Sequence, residues 1–240
     1  MDASTKTNEL PGLGPEAYRQ WRGSSIGAIT EALQRRLILD LLGDVRGLTV
    51  LDVGCGDGSL AIELHKRGAI VTGIDRSSAM INSAKVAARQ QHAPIPFIMA
   101  PAEAIPFPAT RFDVIVAVTI LCFVEDAAPV FAEIARVLRP GGRFVIGELG
   151  KWSSWAAARR IRAWLGSPLW RLGRFRTASE LRRLASQAGL DSGAVQGAIY
   201  YPRWTPAARV MASWDQRIGR VTTAGAAFLA LSAHKPLACS

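Results

Sequence analysis

Short apolar segments alternate with amphipathic ones along most of this chain. The apolar segments predict five strands, at residues 48–53, 70–74, 95–99, 112–118 and 143–149. Between them, apolar residues recur at helical spacing and predict helices at 59–67, 77–90 and 125–138. Strands that are apolar throughout and separated by helices are typical of a parallel sheet covered on both faces.

The two ends of the chain are less regular. Residues 1–15 are polar with Gly and Pro, so we expect a flexible tail, and residues 16–42 follow a helical pattern. The remaining segments predict helices at 152–165, 177–188 and 206–218 and strands at 194–201 and 224–233. No hinge to a second domain is evident. We therefore predict a single α/β domain with a helical insertion between its fifth and sixth strands.

A glycine-rich turn carries the most chemical information. The sequence LDVGCGDGS runs from an apolar strand through Gly54, Gly56 and Gly58 into a helix. Glycines at such a turn let the backbone approach a ligand closely. The next strand ends in VTGID, and the carboxylate of Asp75 at that point can accept both hydroxyls of a ribose. This pattern favours a nucleoside-containing ligand over a simple turn.

Two nucleoside ligands compete for this turn. A dinucleotide site requires the spacing GxGxxG, but Ser59 occupies the position of the third glycine. The acidic residues Asp52 and Asp57 flank the turn, and they suit an ammonium or sulfonium cation better than a pyrophosphate. These features disfavour an NAD-dependent oxidoreductase.

Over a little under half of its length, the chain resembles a class I S-adenosylmethionine (SAM)-dependent methyltransferase of the UbiE/type 11 group. The resemblance covers about residues 48–148 and rests on five segments in the expected order: LDVGCGDGS, VTGIDRSSAM, PAEAIPFP, RFDVIVAV and VLRPGGRFVI. It implies a Rossmann-like, mostly parallel sheet of seven strands with the last strand antiparallel, flanked by helices. It also implies an enzyme whose cofactor is SAM.

The resemblance assigns cofactor-binding roles to seven residues. Four would hold the methionine end of SAM: Asp52, Gly54, Gly56 and Gly58. Asp75 would bind the ribose, Ala102 would offer a backbone N–H to the adenine, and Thr119 would lie beside the cofactor. Similar sequences commonly have Asp where this chain has Pro101, which cannot accept a hydrogen bond from the adenine amine.

The resemblance also divides the single domain, residues 16–240, into four parts. These are an N-terminal helical lid at 16–47, a SAM-binding core at 48–150, a basic Trp-rich helical insertion at 151–190, and terminal strands with a pocket helix at 191–240.

The acceptor side is less well defined by sequence. Methyl transfer from a sulfonium needs mainly the positioning of donor and acceptor, so no base is compulsory. Tyr18, Glu148 and Tyr200 are the candidate catalytic residues. Tyr200, Tyr201, Trp204 and Trp214 could complete an apolar acceptor pocket. We expect methyl transfer to a small apolar, aromatic or lipid-like acceptor, such as a lipid headgroup, a quinone or a related metabolite. A non-catalytic SAM-binding regulatory or assembly protein remains an alternative, and an RNA methyltransferase is less favoured.

Positive charge is concentrated in one segment. Of the net charge of +10, Lys151 to Leu184 supplies +8, with nine basic residues and one acid, and it holds four of the seven Trp residues. One interpretation is an interfacial helix, with Trp152 and Trp155 in an anionic membrane surface and Arg159, Arg160 and Arg162 on the headgroups. A second is nucleic-acid binding, which the absence of an obvious RNA-binding module makes unlikely. The third is a substrate-pocket roof with solvated arginines outside it.

Other classes of protein are disfavoured by composition. The three Cys and three His are scattered, so we predict neither a disulfide framework nor a metal site. The first residues lack an apolar signal segment, and the longest apolar run is too short to span a bilayer. We therefore expect a cytoplasmic protein, with peripheral association at the inner membrane face as the membrane interpretation implies.

Overall fold

A sheet of eight strands organises residues 14–237, which are the residues that this computed structural model describes. The strands are β1 (Thr49–Val53), β2 (Ile70–Asp75), β3 (Phe97–Met99), β4 (Phe112–Val118), β5 (Leu138–Leu149), β6 (Asp191–Ser192), β7 (Gln196–Ala198) and β8 (Phe228–His234). The helices are α1 (Pro15–Gly23), α2 (Ser25–Leu42), α3 (Ser59–Lys66), α4 (Ser78–Gln90), α5 (Ala128–Val137), α6 (Ser154–Trp164), α7 (Pro168–Leu172), α8 (Ala178–Gln187) and α9 (Thr205–Val221). A 3-10 helix covers Leu121–Phe123.

The strand order confirms the predicted fold class. The order is β3-β2-β1-β4-β5-β8-β6, and β7 pairs with β8 beside β6. Strands β1 to β5 are mutually parallel, whereas β8 runs antiparallel to β5, β6 and β7. The chain therefore forms a Rossmann-like, mostly parallel sheet with an antiparallel last strand.

The predicted sixth strand, residues 194–201, is wrong in its extent. Two short strands, β6 and β7, replace it, and both pair with β8. Beyond Ala198 the backbone leaves the ladder, because the buried Asp215 of α9 accepts hydrogen bonds from the backbone N–H groups of Ile199 and Tyr200 at 2.9 and 3.0 Å. Ile199 has a φ of 66°, which is incompatible with a continuing strand.

The predicted N-terminal helix over 16–42 is also interrupted. It divides into α1 and α2 at Ser24, which has an extended backbone and whose hydroxyl accepts a hydrogen bond from the Gly27 N–H at 3.1 Å. The sequence Gly23-Ser24-Ser25 explains the break, since serine is a favoured N-cap and glycine is a weak helix former.

Several boundaries differ from the sequence predictions. Helix α5 ends at Val137 and β5 begins at Leu138, before the two glycines that were expected to separate them. Helix α7 was not predicted, α9 extends to Val221, and β8 begins at Phe228. Of the tail expected at 1–15, all but Gly14 and Pro15 lies outside the described residues, and Pro15 already begins α1.

Two apolar clusters cover the two faces of the sheet. One contains α2, α3 and α4 and extends to Trp155 of α6, while the other contains α5 and α8. Among residues 14–237, no helix is both long and apolar enough to cross a membrane. The carboxyl ends of β1, β2 and β4 meet at one edge of the sheet, where α/β proteins bind ligands.

Candidate active site

A cavity of about 570 Å³ opens at this edge, beneath α1 and α2. This volume lies within the range of about 300–1,000 Å³ that is usual for small-molecule sites. Seven of the ten candidate catalytic and cofactor-binding residues from the sequence line it: Tyr18, Asp52, Gly54, Gly56, Asp75, Ala102 and Thr119. We call it the glycine-loop cavity. The fold thus brings together residues that are up to about a hundred positions apart in the chain.

The glycine-rich turn forms the floor of this cavity. The backbone N–H groups of Gly54 and Cys55 both donate to the carbonyl of Ile74, at 2.8 and 2.9 Å, which ties the turn to the end of β2. Gly56 has a φ of 53°, and a Cβ there would have no atom within 4 Å. The backbone therefore leaves open space for a ligand at Gly56. Gly58 lies behind the turn, where a Cβ would be 3.0 Å from Ala84 and Phe97.

Asp75 braces the turn from the next strand. Its Oδ2 accepts a hydrogen bond from the Gly56 N–H, and its Oδ1 accepts one from the Ser77 N–H, each at 2.9 Å. Burial raises the pKa of Asp75, while these backbone hydrogen bonds lower it. Each carboxylate oxygen can accept more than one hydrogen bond, so Asp75 keeps capacity for the hydroxyls of a ligand.

Asp52 brings a buried carboxylate oxygen without a partner to the cavity. It is almost fully buried at the end of β1, and its Oδ2 makes no hydrogen bond within residues 14–237. Burial, and secondarily the negative charge of Asp75, raise the pKa of Asp52 to about 7. A buried carboxylate without a partner is costly, and a cationic ligand in the cavity would offset this cost.

Helices α1 and α2 are held on the turn by arginines that the sequence analysis missed. Arg22 of α1 forms an ion pair with Asp57 and donates to the Ser59 hydroxyl at 2.9 Å. Arg35 of α2 donates to the same hydroxyl at 3.0 Å and pairs with Glu63 of α3 at 2.9 Å. The sequence signal that could have indicated these pairs was the opposite charge of the arginines in α1 and α2 and the acidic residues Asp57 and Glu63. Because the Asp57 carboxylate is already paired with Arg22, it is less available to a ligand than the sequence alone suggested.

Tyr18 brings an aromatic ring into the cavity wall. Its ring lies 4.8 Å from the Arg22 guanidinium carbon and stacks on Trp21. Burial and the nearby Glu31 carboxylate raise the pKa of the Tyr18 phenol, so this hydroxyl stays protonated near neutral pH. It can donate a hydrogen bond to a ligand, but it is a poor proton acceptor.

The other two candidate catalytic residues do not line the glycine-loop cavity. Glu148 is fully buried near the end of β5, where its Oε1 accepts a hydrogen bond from the Leu121 N–H at 2.7 Å. Burial raises the pKa of Glu148 to about 7. The Tyr200 hydroxyl donates to the carbonyl of Thr222, and burial raises its pKa to about 12. Their catalytic roles remain predictions from the sequence.

The aromatic residues expected on the acceptor side divide into buried and exposed groups. Trp155 is only 2% exposed and its Nε1 donates to the Tyr201 carbonyl at 2.8 Å, so the expectation that it enters a membrane is wrong. Tyr201 is also buried and its hydroxyl bonds to Thr30 of α2. Trp204 and Trp214, by contrast, are 63% and 58% exposed. The four residues expected to complete an acceptor pocket, Tyr200, Tyr201, Trp204 and Trp214, therefore do not enclose one.

Comparison with known proteins agrees with this geometry. A family model described as a methyltransferase domain matches residues 51–146. The ubiquinone biosynthesis O-methyltransferase of Methylobacterium sp. is 32% identical over 171 residues, which cover 67% of this chain and 68% of that protein. An uncharacterized protein of Mycobacterium tuberculosis is 31% identical over 242 residues, covering 98% of this chain and 78% of that one.

The chain belongs to the class I SAM-dependent methyltransferases.

Solved structures share the fold of this methyltransferase. A SAM-dependent methyltransferase from Thermotoga maritima superposes with a TM-score of 0.69 at 19% identity, over 92% of this chain and 95% of that one. Geranyl diphosphate C-methyltransferase from Streptomyces coelicolor A3(2), solved with S-adenosyl-L-homocysteine, superposes with a TM-score of 0.62 at 18% identity, over 84% of this chain and 77% of that one.

The glycine-loop cavity fits the cofactor of this methyltransferase. The open space at Gly56 leaves room for a ligand, and the unpartnered Asp52 oxygen suits its positive charge. Ala100, Ala102 and Glu103 line the cavity on either side of Pro101. Pro101 itself does not line the cavity, so backbone groups and Glu103 are the available partners on that wall.

Proposed function

We propose that this methyltransferase methylates a small apolar, aromatic or lipid-like acceptor that it meets at an anionic membrane surface. The observation that carries the proposal is a group of exposed apolar side chains on and beside α6 and α7. It comprises Trp152, Ile161, Trp164, Leu165 and Leu172. Exposed arginines lie among them, namely Arg160, Arg162, Arg171 and Arg174. We call these nine residues the α6–α7 surface.

The chemistry of the α6–α7 surface supports an anionic lipid interface. Trp164 is 84% exposed although apolar burial would stabilise it, and no acidic residue occurs between Lys151 and Ser179. Aromatic side chains favour the interfacial region of a bilayer, and arginines are attracted to anionic headgroups. The surface lies within the segment from Lys151 to Leu184, which carries most of the net charge.

The residues of the glycine-loop cavity support a positioning mechanism. When bound, SAM supplies a methyl group on a positively charged sulfur. We propose that Asp75 binds its ribose, that Asp52 and the turn at Gly54 and Gly56 hold its amino-acid end, and that Ala102 and Thr119 border it. Tyr18 and the lid helices would exclude water and orient the acceptor, a contribution worth up to about 7–11 kcal/mol in well-oriented systems.

Relatives support the acceptor class. The Methylobacterium protein is named for ubiquinone biosynthesis and O-methylation, and the Streptomyces coelicolor structure is named for geranyl diphosphate. Ubiquinone and geranyl diphosphate, the compounds in these two names, both have an apolar part. We therefore propose a quinone-related or other lipid-like acceptor.

Labelled SAM tests the proposed acceptor class. The protein is incubated with methyl-labelled SAM and cell extract, and the products are separated into lipid, aqueous small-molecule and macromolecular fractions. We expect label in the lipid fraction, and loss of that label with Asp75→Ala. Label confined to nucleic acid or protein would contradict the proposal.

Vesicle sedimentation tests the membrane surface separately. Arg160→Gln with Arg162→Gln should weaken binding to anionic vesicles at low salt, since each basic residue near the surface contributes about 1 kcal/mol. Arg182→Gln with Arg183→Gln is the matched control, because it removes two exposed charges from α8 outside the α6–α7 surface. Equal vesicle binding by the two double variants would mean that only the net charge of the protein matters. If the unmodified protein does not bind anionic vesicles, the α6–α7 surface is not a membrane interface.

A further inference from the structure

Two arginine guanidinium groups lie behind the turn that follows β4. The Nε and Nη2 atoms of Arg176 are inaccessible to solvent and have no hydrogen-bond partner within residues 14–237. The backbone of Arg176 is fixed, because its N–H donates to the Leu149 carbonyl and its carbonyl accepts from the Lys151 N–H. A buried polar group without a partner is costly, so the arrangement indicates a missing anionic partner.

Arg159 of α6 is the second of these groups. Its guanidinium carbon lies 5.5 Å from the centre of the Trp155 ring and 4.7 Å from that of Trp170. No side chain among residues 14–237 forms an ion pair with it, and the nearest charges that act on it include those of Arg203 and Arg162. Burial and these like charges lower the pKa of Arg159 to about 10.

Glu148 does not neutralise this cluster directly. Its Oε1 is used by the Leu121 N–H, while its Oε2 is buried without a partner among the described residues. The positive charge of Arg176 lowers the pKa of Glu148, but both side chains have buried polar atoms without a hydrogen-bond partner among the described residues. A group that is brought by a ligand could satisfy the arginines, with Glu148 accepting a hydrogen bond from a neighbouring hydroxyl.

The cluster adjoins the glycine-loop cavity. The backbone N–H of Arg174, two residues before Arg176, donates to the carbonyl of Cys122 at 2.9 Å, and Cys122 lies in the 3-10 helix after β4. The Trp170 ring, on which Arg159 lies, stacks on Phe175 next to Arg176. Ile120 and Phe123, on either side of that cysteine, line the glycine-loop cavity. The two arginines therefore lie behind the segment that forms one wall of the glycine-loop cavity.

We propose that Arg159 and Arg176 form a subsite for one anionic group, a carboxylate or a phosphate, on the methyl acceptor. Arginine binds either group through charge-assisted hydrogen bonds, which suits both sources of negative charge. Trp170 stacks on Phe175 at 6.4 Å and provides an adjacent aromatic wall for the acceptor's apolar body. This inference rests on the proposed function and narrows it to acceptors that are both apolar and anionic.

Calorimetry with three ring compounds tests the subsite. The probes are benzoate, phenyl phosphate and benzyl alcohol, titrated at constant ionic strength into the SAM-saturated protein. We expect one or both anions to bind and the neutral alcohol to bind more weakly. A preference between the two anions identifies the source of the charge. Equal binding of the alcohol and both anions would overturn the subsite.

Variants separate the subsite from general charge effects. Arg159→Gln and Arg176→Gln should each weaken anion binding by at least about tenfold, the effect of losing a charge-assisted hydrogen bond. Arg182→Gln is the matched control on the exposed face of α8 and should bind as the unmodified protein does. If Arg176→Gln does not fold, the more accessible Arg159→Gln decides the question. Unchanged anion affinity in Arg159→Gln overturns the subsite.

The same titrations distinguish this inference from the proposed function. SAM affinity is measured in each variant and should be unchanged. If SAM binds and lipid-fraction label persists but the anions do not bind, the subsite alone is wrong. If no lipid-fraction label is formed with the unmodified protein, the proposed acceptor class is wrong even where the anions bind to the arginines.

Discussion

The two ligand-facing regions of this methyltransferase use opposite chemistry. The glycine-loop cavity is built from backbone groups and from carboxylates such as Asp52 and Asp75, at fixed positions on the sheet edge. The region beneath α6 and α7 is built from guanidinium groups and indole rings, as at Arg159 and Trp155. The comparison teaches that the proposed site for an apolar, anionic acceptor shares no residues with the cavity that fits the cationic cofactor.

The largest expected effect tests how the second region is attached to the first. Trp155→Ala removes a buried ring and its hydrogen bond to the Tyr201 carbonyl, and should lower the free energy of unfolding by about 3–5 kcal/mol. Urea unfolding measures this change. Trp164→Ala, on the same helix but 84% exposed, is the matched control and should change stability by less than about 0.5 kcal/mol. Equal effects of the two variants would contradict the division of α6 into a buried and an exposed face.

The next largest effect lies in the glycine-loop cavity. Asp75→Ala should weaken SAM binding by about 1.5–3 kcal/mol, the usual range for hydrogen bonds to a charged group. Calorimetry measures the affinity, with Asp44→Ala as a control because that carboxylate is exposed and remote from the cavity lining. An unchanged SAM affinity would remove Asp75 from the cofactor site.

The two regions also differ in how far sequence could predict them. Gly54, Gly56 and Asp75 lie at or just after the ends of two strands, and the apolar pattern of the sequence marks where those strands end. Their position at one cavity could therefore be predicted. In α6, tryptophans and arginines are interspersed along the sequence, and nothing in this pattern indicates which face of the helix is buried. One of the three interpretations therefore placed Trp155 and Arg159 at a membrane, although the structure buries the Trp155 ring and stacks Arg159 on it.

Long-range contacts account for the other differences. The break in the sixth strand depends on Asp215, and the attachment of the lid depends on Arg22 and Arg35, each of which acts across many residues. Local propensity contains no information on such partners. The helix break at Ser24 could have been predicted from the sequence, since Gly23 and Ser24 form a recognisable helix boundary.

A smaller effect distinguishes backbone strain from cavity obstruction. Gly56→Ala forces a non-glycine residue into a positive φ, at a cost of about 1–2 kcal/mol, and projects a methyl group into the glycine-loop cavity. Gly189→Ala is the matched control, because Gly189 has a φ of 73° and equally open surroundings outside the cavity. We expect similar losses of stability in urea, but weaker SAM binding with Gly56→Ala alone. A parallel loss of SAM binding in both would attribute the effect to strain.

The smallest effect is a proton balance at Asp52. Burial raises the pKa of Asp52 from 3.8 to about 7, so the unliganded protein retains a proton that the unfolded chain releases. This group therefore makes the folded state less stable as pH rises from 3.8 toward 7. A bound cation favours the carboxylate form, so SAM binding at pH near 6 should expel a fraction of a proton from Asp52.

Calorimetry in two buffers of different ionisation enthalpy measures that proton. We expect release with the unmodified protein that diminishes above the pKa of Asp52, and less release with Asp52→Asn. Identical proton release in the two proteins would mean that Asp52 does not sense the cofactor's charge.

The central claim is that the cofactor and the membrane are recognised by separate regions, and one paired measurement tests it most directly. SAM affinity and anionic-vesicle binding are measured on the unmodified protein, on Asp75→Ala, and on the double variant Arg160→Gln with Arg162→Gln. The account predicts that Asp75→Ala loses SAM affinity and keeps vesicle binding, whereas the double variant keeps SAM affinity and loses vesicle binding. The account would be contradicted if either variant lost both SAM affinity and vesicle binding. It would also be contradicted if both variants kept both properties.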